Sequence, residues 1–160
     1  MKSLVAVAAV ALMALVAGFR FNSSNGVEVG QDRVEAEVMA WMEDYLAQYT
    51  DLDPDPLLDA WLQEDCSSVS FAEKAVTRQE LEAQVNGVLD GWEAVRLELL
   101  PGSVVDVISA DMAVFQGTAR QDFTPKGGEP GVWRIHFTFF LNKVNGEWKI
   151  KRNHVSGGAW

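Results

Sequence analysis

The chain has 160 residues, of which 48% are hydrophobic and 22% are charged, so it has the length of one domain and enough apolar material for a packed core. A formal net charge of −10 argues against nucleic acid and anionic membranes as partners, because both repel a chain rich in carboxylates. The single cysteine, Cys66, excludes an intrachain disulfide and any metal site built from several thiolates.

The first eighteen residues, 1–18, predict a secretory signal peptide. Lys2 is followed by an apolar stretch over 4–17 and then by small residues, which is the order of such signals. The stretch is shorter than the roughly 20 residues of a membrane-spanning helix, although an uncleaved anchor is an open alternative. We therefore expect an exported protein, periplasmic or secreted, with a flexible lead over 19–30 and no membrane attachment once the signal is removed.

Three helices are predicted between 31 and 92. Apolar residues recur at steps of three and four over 31–49, which is typical of an amphipathic helix. Two Asp-Pro pairs at 53–56 end that helix and begin a second one, which runs to about Asp65. The segment 77–80 has the pattern of a capping box and begins a third helix that ends near Trp92.

From Val95 onward the hydrophobic period changes to two. This alternation predicts five strands, near 95–100, 103–108, 112–123, 132–144 and 147–156. Helices followed by consecutive strands favour an α+β fold, with the helices packed on one face of a curved antiparallel sheet.

The last two predicted strands can be aligned residue by residue. Asn145-Gly146 is typical of a two-residue hairpin turn, and that turn places Phe137 opposite His154. Alternation then puts Arg152 and His154 on the apolar face that packs against the helices, where charged groups are rare unless they are paired or line a cavity. A bulge in this hairpin would exchange the faces beyond it and make His136 the pocket histidine.

The element order and the C-terminal pattern Lys143-x-x-Gly146-x-Trp148-x-Ile150-x-x-x-His154-x-Ser156 resemble the nuclear transport factor 2-like superfamily, in its SnoaL-like and ketosteroid-isomerase-like branch. The resemblance covers about residues 31–158. It implies a cone in which about three N-terminal helices close one side of a strongly curved antiparallel sheet, with an apolar pocket at the wide end. It also implies a homodimer formed through the convex face of the sheet.

The resemblance also implies roles for individual residues. In the best-known branch a first-helix tyrosine donates to the substrate oxygen, and Tyr45 matches it. The position of the branch's carboxylate base falls near Ser68 or Ser70, and serine cannot act as a base at its own pKa, so steroid-type isomerisation is not expected. The candidate catalytic residues are His154, as acid or base, and Tyr45, as hydrogen-bond donor. The candidate ligand contacts are Arg152, Trp41, Trp61, Trp133, Phe137 and Phe139.

Two functions are open at this point. The first is an exported protein that binds a small apolar ligand with a carbonyl or anionic group, with isomerase, cyclase or hydrolase activity left undecided because the fold hosts many chemistries. The second is a non-catalytic dimeric interaction module whose core is filled by its own side chains. The acids at 51–55 are explained better by helix capping than by calcium, so neither a metal ion nor a cofactor is expected.

Overall fold

The computed structural model describes residues 25–71 and 73–160, and the predicted signal peptide lies outside them. In this part of the chain, helix α1 spans Asn25–Ala47 and is followed by a 3-10 helix, Gln48–Asp51; α2 spans Pro54–Asp59 and α3 spans Arg78–Asp90. The strands are β1 (Ser67–Ser70), β2 (Glu73–Ala75), β3 (Trp92–Leu99), β4 (Val104–Ser109), β5 (Met112–Pro125), β6 (Gly131–Val144) and β7 (Glu147–Ala159). α1 thus begins within the predicted lead, 19–30. None of the helices described here has the length and apolar character needed to cross a membrane.

Two predicted helix starts are confirmed by their caps. At the start of α2, the carboxylate of Asp53 accepts a hydrogen bond of 3.0 Å from the backbone N–H of Asp55. At the start of α3, Thr77 and Glu80 form the reciprocal capping box. These side chains satisfy backbone N–H groups that have no partner inside a helix, which is why both helices begin where the sequence predicts.

α2 ends at Asp59 and not near Asp65, because the backbone that follows it pairs with the sheet. The N–H of Ile150 donates to the carbonyl of Ala60 at 2.7 Å, and the N–H of Leu62 donates to the carbonyl of Ile150 at 3.0 Å. The predicted second helix is therefore too long, since its last residues become a short connection along the edge of β7.

The sheet is mixed, not wholly antiparallel as predicted. Its strands lie in the order β2-β1-β7-β6-β5-β3, and β4 also pairs with β5. β1 runs parallel to β7, whereas the other pairs of these strands are antiparallel. β1 and β2, which are additional to the five predicted strands, have only four and three residues, too few for a period of two to be recognised.

The hydrophobic core lies between the helices and one face of the curled sheet, which we call the concave face. Val38 and Met42 of α1 and Phe115 and Ile150 of the sheet are fully buried and belong to one cluster. Full burial of a side chain of this size stabilises the fold by about 1.5–3 kcal/mol. The predicted α+β cone is confirmed, with its helices on the concave face.

A bulge in β7 changes the predicted hairpin. Leu141 lies opposite Ile150 as expected, but Phe140 lies opposite Arg152, so Lys151 is an extra residue on β7. A single extra residue reverses the direction of every later side chain on its strand. Beyond Lys151, the residues that alternation alone would turn toward the core therefore face the other side, which we call the convex face.

Candidate functional site

A cavity of about 450 Å³ lies between the concave face of the sheet and the helices α1 and α3. Most of its wall is apolar and consists of aromatic and aliphatic side chains. The aromatic lining residues are Tyr45, Tyr49, Trp61, Phe71, Trp92, Trp133, Phe137 and Phe139. Concave, mainly apolar spaces of roughly 300–1,000 Å³ with a few polar groups are the usual form of small-molecule sites.

The aromatic residues hold one another in place. The ring of Tyr45 lies edge-to-face with Phe139, with centroids 5.9 Å apart, and Phe139 is in turn 5.5 Å from Phe137. Trp133 packs against Trp92 at 6.0 Å. Aromatic pairs in such arrangements add about 0.5–1.5 kcal/mol beyond the area they bury, so the wall of the cavity is preorganised.

Two tyrosine hydroxyls meet at one end of the cavity. Tyr45 and Tyr49 are one helical turn apart on α1 and its 3-10 extension, and their Oη atoms are 3.3 Å apart. Burial raises the pKa of Tyr45 well above its ordinary value of 10.0, and the neighbouring Tyr49 raises it further. Burial likewise raises the pKa of Tyr49, which also lines the cavity. Both hydroxyls are therefore protonated at neutral pH and are able to donate.

Further polar groups come from the strands and from the connection after α2. Trp61 is 2% exposed. Its indole N–H acts to lower the pKa of Tyr45 and so reduces the rise that burial causes, although Nε1 of Trp61 does not meet the geometric criteria of a hydrogen bond. Ser68 of β1 and Asn153 of β7 are partners across the parallel pair, and both line the cavity. Gln121 of β5 is buried in the same wall.

The mouth of the cavity is formed by exposed residues of α3 and of the turn between β1 and β2. Phe71 and Val88 are 43% and 40% exposed, and Gly87 leaves open space where a side chain would stand. Glu73 lies at this mouth and is the one carboxylate among the described lining residues. The described part of the chain contains no cluster of three or more residues able to hold a metal ion.

Five of the predicted site residues line the cavity, namely Tyr45, Trp61, Trp133, Phe137 and Phe139. Trp41 does not: it stacks almost parallel on Tyr45, with ring centroids 5.4 Å apart, and so supports the wall from outside. Trp41 is one helical turn before Tyr45 on the same face of α1, so the helical period predicts its face correctly but does not show that the cavity ends before it.

The prediction that Arg152 and His154 lie on the core-facing side is wrong, because the bulge turns both to the convex face. Both are exposed, and Arg152 pairs with Asp65 at 3.5 Å. The alternative, His136, is also exposed: β6 carries no extra residue, so its alternation is unchanged, and the Nδ1 of His136 lies 3.0 Å from the hydroxyl of Thr118. Neither histidine of the chain lines the cavity.

Seven polar residues that line the cavity are absent from the predicted set: Tyr49, Ser68, Ser70, Glu73, Gln84, Gln121 and Asn153. Tyr49 is four residues after Tyr45, so the helical period could have revealed it. Gln121 is a polar residue in phase with the buried Phe115 and Ala119, which is a second readable signal. Asn153 had no such signal, since only the bulge brings it to the concave face.

Comparison with known proteins identifies the fold. Residues 38–159 match the model of the SnoaL-like domain. A candidate scytalone dehydratase from Novosphingobium aromaticivorans is similar in structure, with a TM-score of 0.71, 17% identity and coverage of 84% of this chain and 89% of that one. A nuclear transport factor 2-like superfamily protein from Salmonella enterica has a TM-score of 0.71 and 16% identity, with coverage of 81% and 94%.

A third similar structure is a hexachlorocyclohexane dehydrochlorinase from Novosphingobium barchaimii, with a TM-score of 0.67, 13% identity and coverage of 82% of this chain and 90% of that one. No curated protein matches this chain. The structural similarities show the fold, and the family model spans most of the sequence. The resemblance found in the sequence is thus confirmed, and the chain belongs to the SnoaL-like domain family.

Proposed function

We propose that this protein binds a small, uncharged and mostly apolar molecule in the cavity. The observation that carries the proposal is a cavity of about 450 Å³ whose wall is aromatic and aliphatic, with neutral hydrogen-bonding groups among them. The volume lies within the range of small-molecule sites. It also argues against the alternative of a core filled by the chain's own side chains.

The charge of the ligand follows from the groups that line the cavity. Apart from Glu73 at the mouth, the described lining residues are neutral, because the high pKa values of Tyr45 and Tyr49 keep their hydroxyls protonated. An ion moved into such a space would lose its hydration without gaining a counter-charge. A ligand with an anionic group is disfavoured for this reason, since Arg152 lies outside the cavity.

Binding is favoured over acid–base catalysis. General acids and bases work best when their pKa lies near the operating pH, and the raised pKa values of Tyr45 and Tyr49 move these hydroxyls further from neutrality. Two of the similar structures are named as a candidate dehydratase and a dehydrochlorinase, which supports a family cavity suited to organic molecules. The described lining residues of this chain include no imidazole and no carboxylate away from the mouth.

Export and dimerisation complete the proposal. Export rests on the signal-like order of residues 1–18. Dimerisation through the convex face is supported by Met112 and Phe140, which are large, apolar and 42% and 46% exposed; they lie on neighbouring strands. Size-exclusion chromatography of the mature protein with light scattering tests the dimer, and the mass of the protein recovered outside the cytoplasm tests the cleavage.

The binding proposal is tested with Nile red, a neutral apolar dye whose emission shifts to the blue in apolar surroundings. We expect saturable binding to the native chain and a loss of at least about ten-fold in affinity in Val155→Trp, because Val155 lines the cavity and the larger ring fills it. Val144→Trp is the matched control, since Val144 is exposed. The anionic dye anilinonaphthalene sulfonate is expected to bind more weakly than Nile red. Equal binding of Nile red to both tryptophan variants, or none to the native chain, would contradict the proposal.

A further inference from the structure

The part of the cavity wall that reaches the surface is confined to two segments of the chain. Five of the described lining residues are exposed, and they lie after β1, at the start of β2 and over the end of α3. They are Phe71, Glu73, Gly87, Val88 and Gly91. The other described lining residues are buried or partly buried. The mouth of the cavity therefore lies between α3 and Phe71.

Both sides of the mouth are held in place by the fold. The ring of Phe71 packs against Trp133, with centroids 5.6 Å apart, and the backbone N–H of Phe71 donates to the carbonyl of Val155 at 3.1 Å. α3 contacts both β1 and β2, and its first half is anchored by the buried Leu81. The width of the mouth therefore depends on the side chains that stand in it.

The face of α3 that borders the mouth has no side chain at position 87. Gln84, Gly87 and Gly91 are separated by three and four residues, so they lie along one face of the helix, and all three line the cavity. A Cβ atom at position 87 would meet no atom within 4 Å. A side chain at this position would therefore stand in the open space of the mouth.

The fold itself does not require glycine at this position. Gly87 has no positive φ, and neither backbone nor side chains would clash with a Cβ atom there. Glycine inside a helix is less favourable than alanine, because the unfolded chain has more conformational freedom to lose. Gly87 thus weakens α3, and what the structure gains in return is a wider mouth.

We infer, on the basis of the binding function above, that ligands enter and leave the cavity through the gap at Gly87, between α3 and Phe71. The missing side chain sets the width of this gap, so Gly87 determines how fast a ligand of given size exchanges. Phe71 and Val88 are apolar and 43% and 40% exposed, and they give an apolar ligand its first contacts. They continue the apolar wall of the cavity to the surface.

Stopped-flow measurement of Nile red binding tests this inference with the series Gly87→Ala, Gly87→Leu and Gly87→Trp. We expect the association and dissociation rate constants to fall together as the side chain grows, by at least about ten-fold in Gly87→Trp. The dissociation constant should stay within about three-fold of the native value, because a narrower path raises the barrier between the free and bound states without changing either state. The smaller neutral dye prodan should be slowed less than Nile red.

Two further variants locate the effect. Phe71→Ala widens the mouth from the side opposite α3 and is expected to raise both rate constants. Gly30→Trp is the matched control for Gly87→Trp, because Gly30 is an exposed glycine of α1 that does not line the cavity and has no atom within 4 Å of its Cβ position. Its rate constants should remain within about two-fold of the native values.

The outcomes separate this inference from the binding function. Unchanged rate constants in the Gly87 series or in Phe71→Ala, equal slowing of both dyes, or equal slowing in Gly30→Trp would overturn the inference while the binding function stands. A weaker affinity in the series with unchanged association would place Gly87 in the binding wall and overturn it too. If Nile red does not bind the native chain, the binding function fails and this inference fails with it. Should Gly87→Trp not fold, Gly87→Leu still narrows the gap and decides the question.

Discussion

The directions of three consecutive side chains of β7, at 152–154, determine which chemical groups line the cavity. Arg152 and His154 are exposed on the convex face, whereas Asn153 between them lines the cavity. The same three residues in a regular strand would present the guanidinium and the imidazole to the cavity and turn the amide away. Charge, titration and hydrogen-bonding capacity of the site all depend on that choice.

We expect two single variants, Arg152→Ala and His154→Ala, each to bind Nile red with an affinity within about two-fold of the native value, because neither side chain reaches the cavity. Substitution at an exposed position such as His154 typically changes stability little, so its melting temperature should shift by less than about 2 °C. Fluorescence titration and a thermal melt measure both quantities. A ten-fold loss of affinity in either variant would return that residue to the site.

At the scale of the element, the bulge at Lys151 is the feature that builds the site. Asp65 forms ion pairs with the two residues of the bulge. Its carboxylate lies 2.9 Å from Nζ of Lys151 and 3.5 Å from Nη2 of Arg152. The hydrogen bond from Lys151 is the first cause of the lowered pKa of Asp65, and the positive charge of Lys151 is the second cause that lowers it. The bulge also divides the outer edge of β7, since Trp61 pairs before it and β1 pairs after it.

Deletion of Lys151 tests the importance of the bulge. Without the extra residue, alternation would turn Arg152 and His154 toward the apolar core, and burying an unpaired charge typically costs several kcal/mol. We expect the deletion variant to lose its cooperative thermal transition, as followed by near-ultraviolet circular dichroism. Lys151→Ala, which keeps the residue count and loses only an exposed ion pair, should melt close to the native chain. A deletion variant that melts like the native chain would contradict this account of the fold.

At the scale of the whole molecule, net charge and the placement of ionisable groups determine how stability depends on pH. Among the residues that the structure describes, four carboxyl groups have a pKa below the ordinary value: Glu37, Asp65, Glu80 and Asp122. Hydrogen bonds are the first cause in each case, from Lys143, from Lys151, from the backbone N–H of Val76 and from Arg120 respectively. The Glu37–Lys143 pair also ties α1 to β6.

The directions of these pKa shifts predict that the free energy of unfolding is nearly constant over a middle range of pH and falls at both ends of that range. A carboxyl group with a lowered pKa stabilises the folded chain above its ordinary pKa, here 3.8 for Asp and 4.5 for Glu, and that contribution is lost as the pH falls through the folded-state value. Tyr45 and Tyr49 have a raised pKa, so they favour folding below their ordinary value of 10.0 and cease to do so at higher pH.

We therefore expect the free energy of unfolding, measured by urea titration across the pH range, to be nearly constant between about pH 5 and about pH 9 and to fall on both sides. Glu37→Gln should flatten the acid limb, because it removes one of the groups that lose their stabilising ionisation there. A stability maximum at pH 3, or an acid limb that is unchanged in Glu37→Gln, would contradict this assignment.

Much of the fold could be predicted from local sequence patterns. The capping box at Thr77 acts through neighbours three residues apart, the Asn145-Gly146 turn sets its own backbone geometry, and the alternation along β5 and β6 reports which residues are buried. Each of these signals depends on residues close together in the chain. For that reason the starts of α2 and α3, the long strands and the core-facing direction of Phe137 and Phe139 follow from the sequence alone.

The polar part of the site was decided by tertiary structure. The sequence around Lys151 reads as regular alternation, and the bulge falls where the second partner of β7 changes from Trp61 to β1, both distant from Lys151 in the chain. Alternation alone therefore predicts that Arg152 and His154 face the cavity, whereas in the folded sheet the residue that lines it is Asn153. The sequence by itself determined an α+β fold whose sheet presents aromatic side chains to the helices; long-range strand pairing determined which polar groups of β7 join the cavity wall, because one added residue turns the charged side chains of Arg152 and His154 outward.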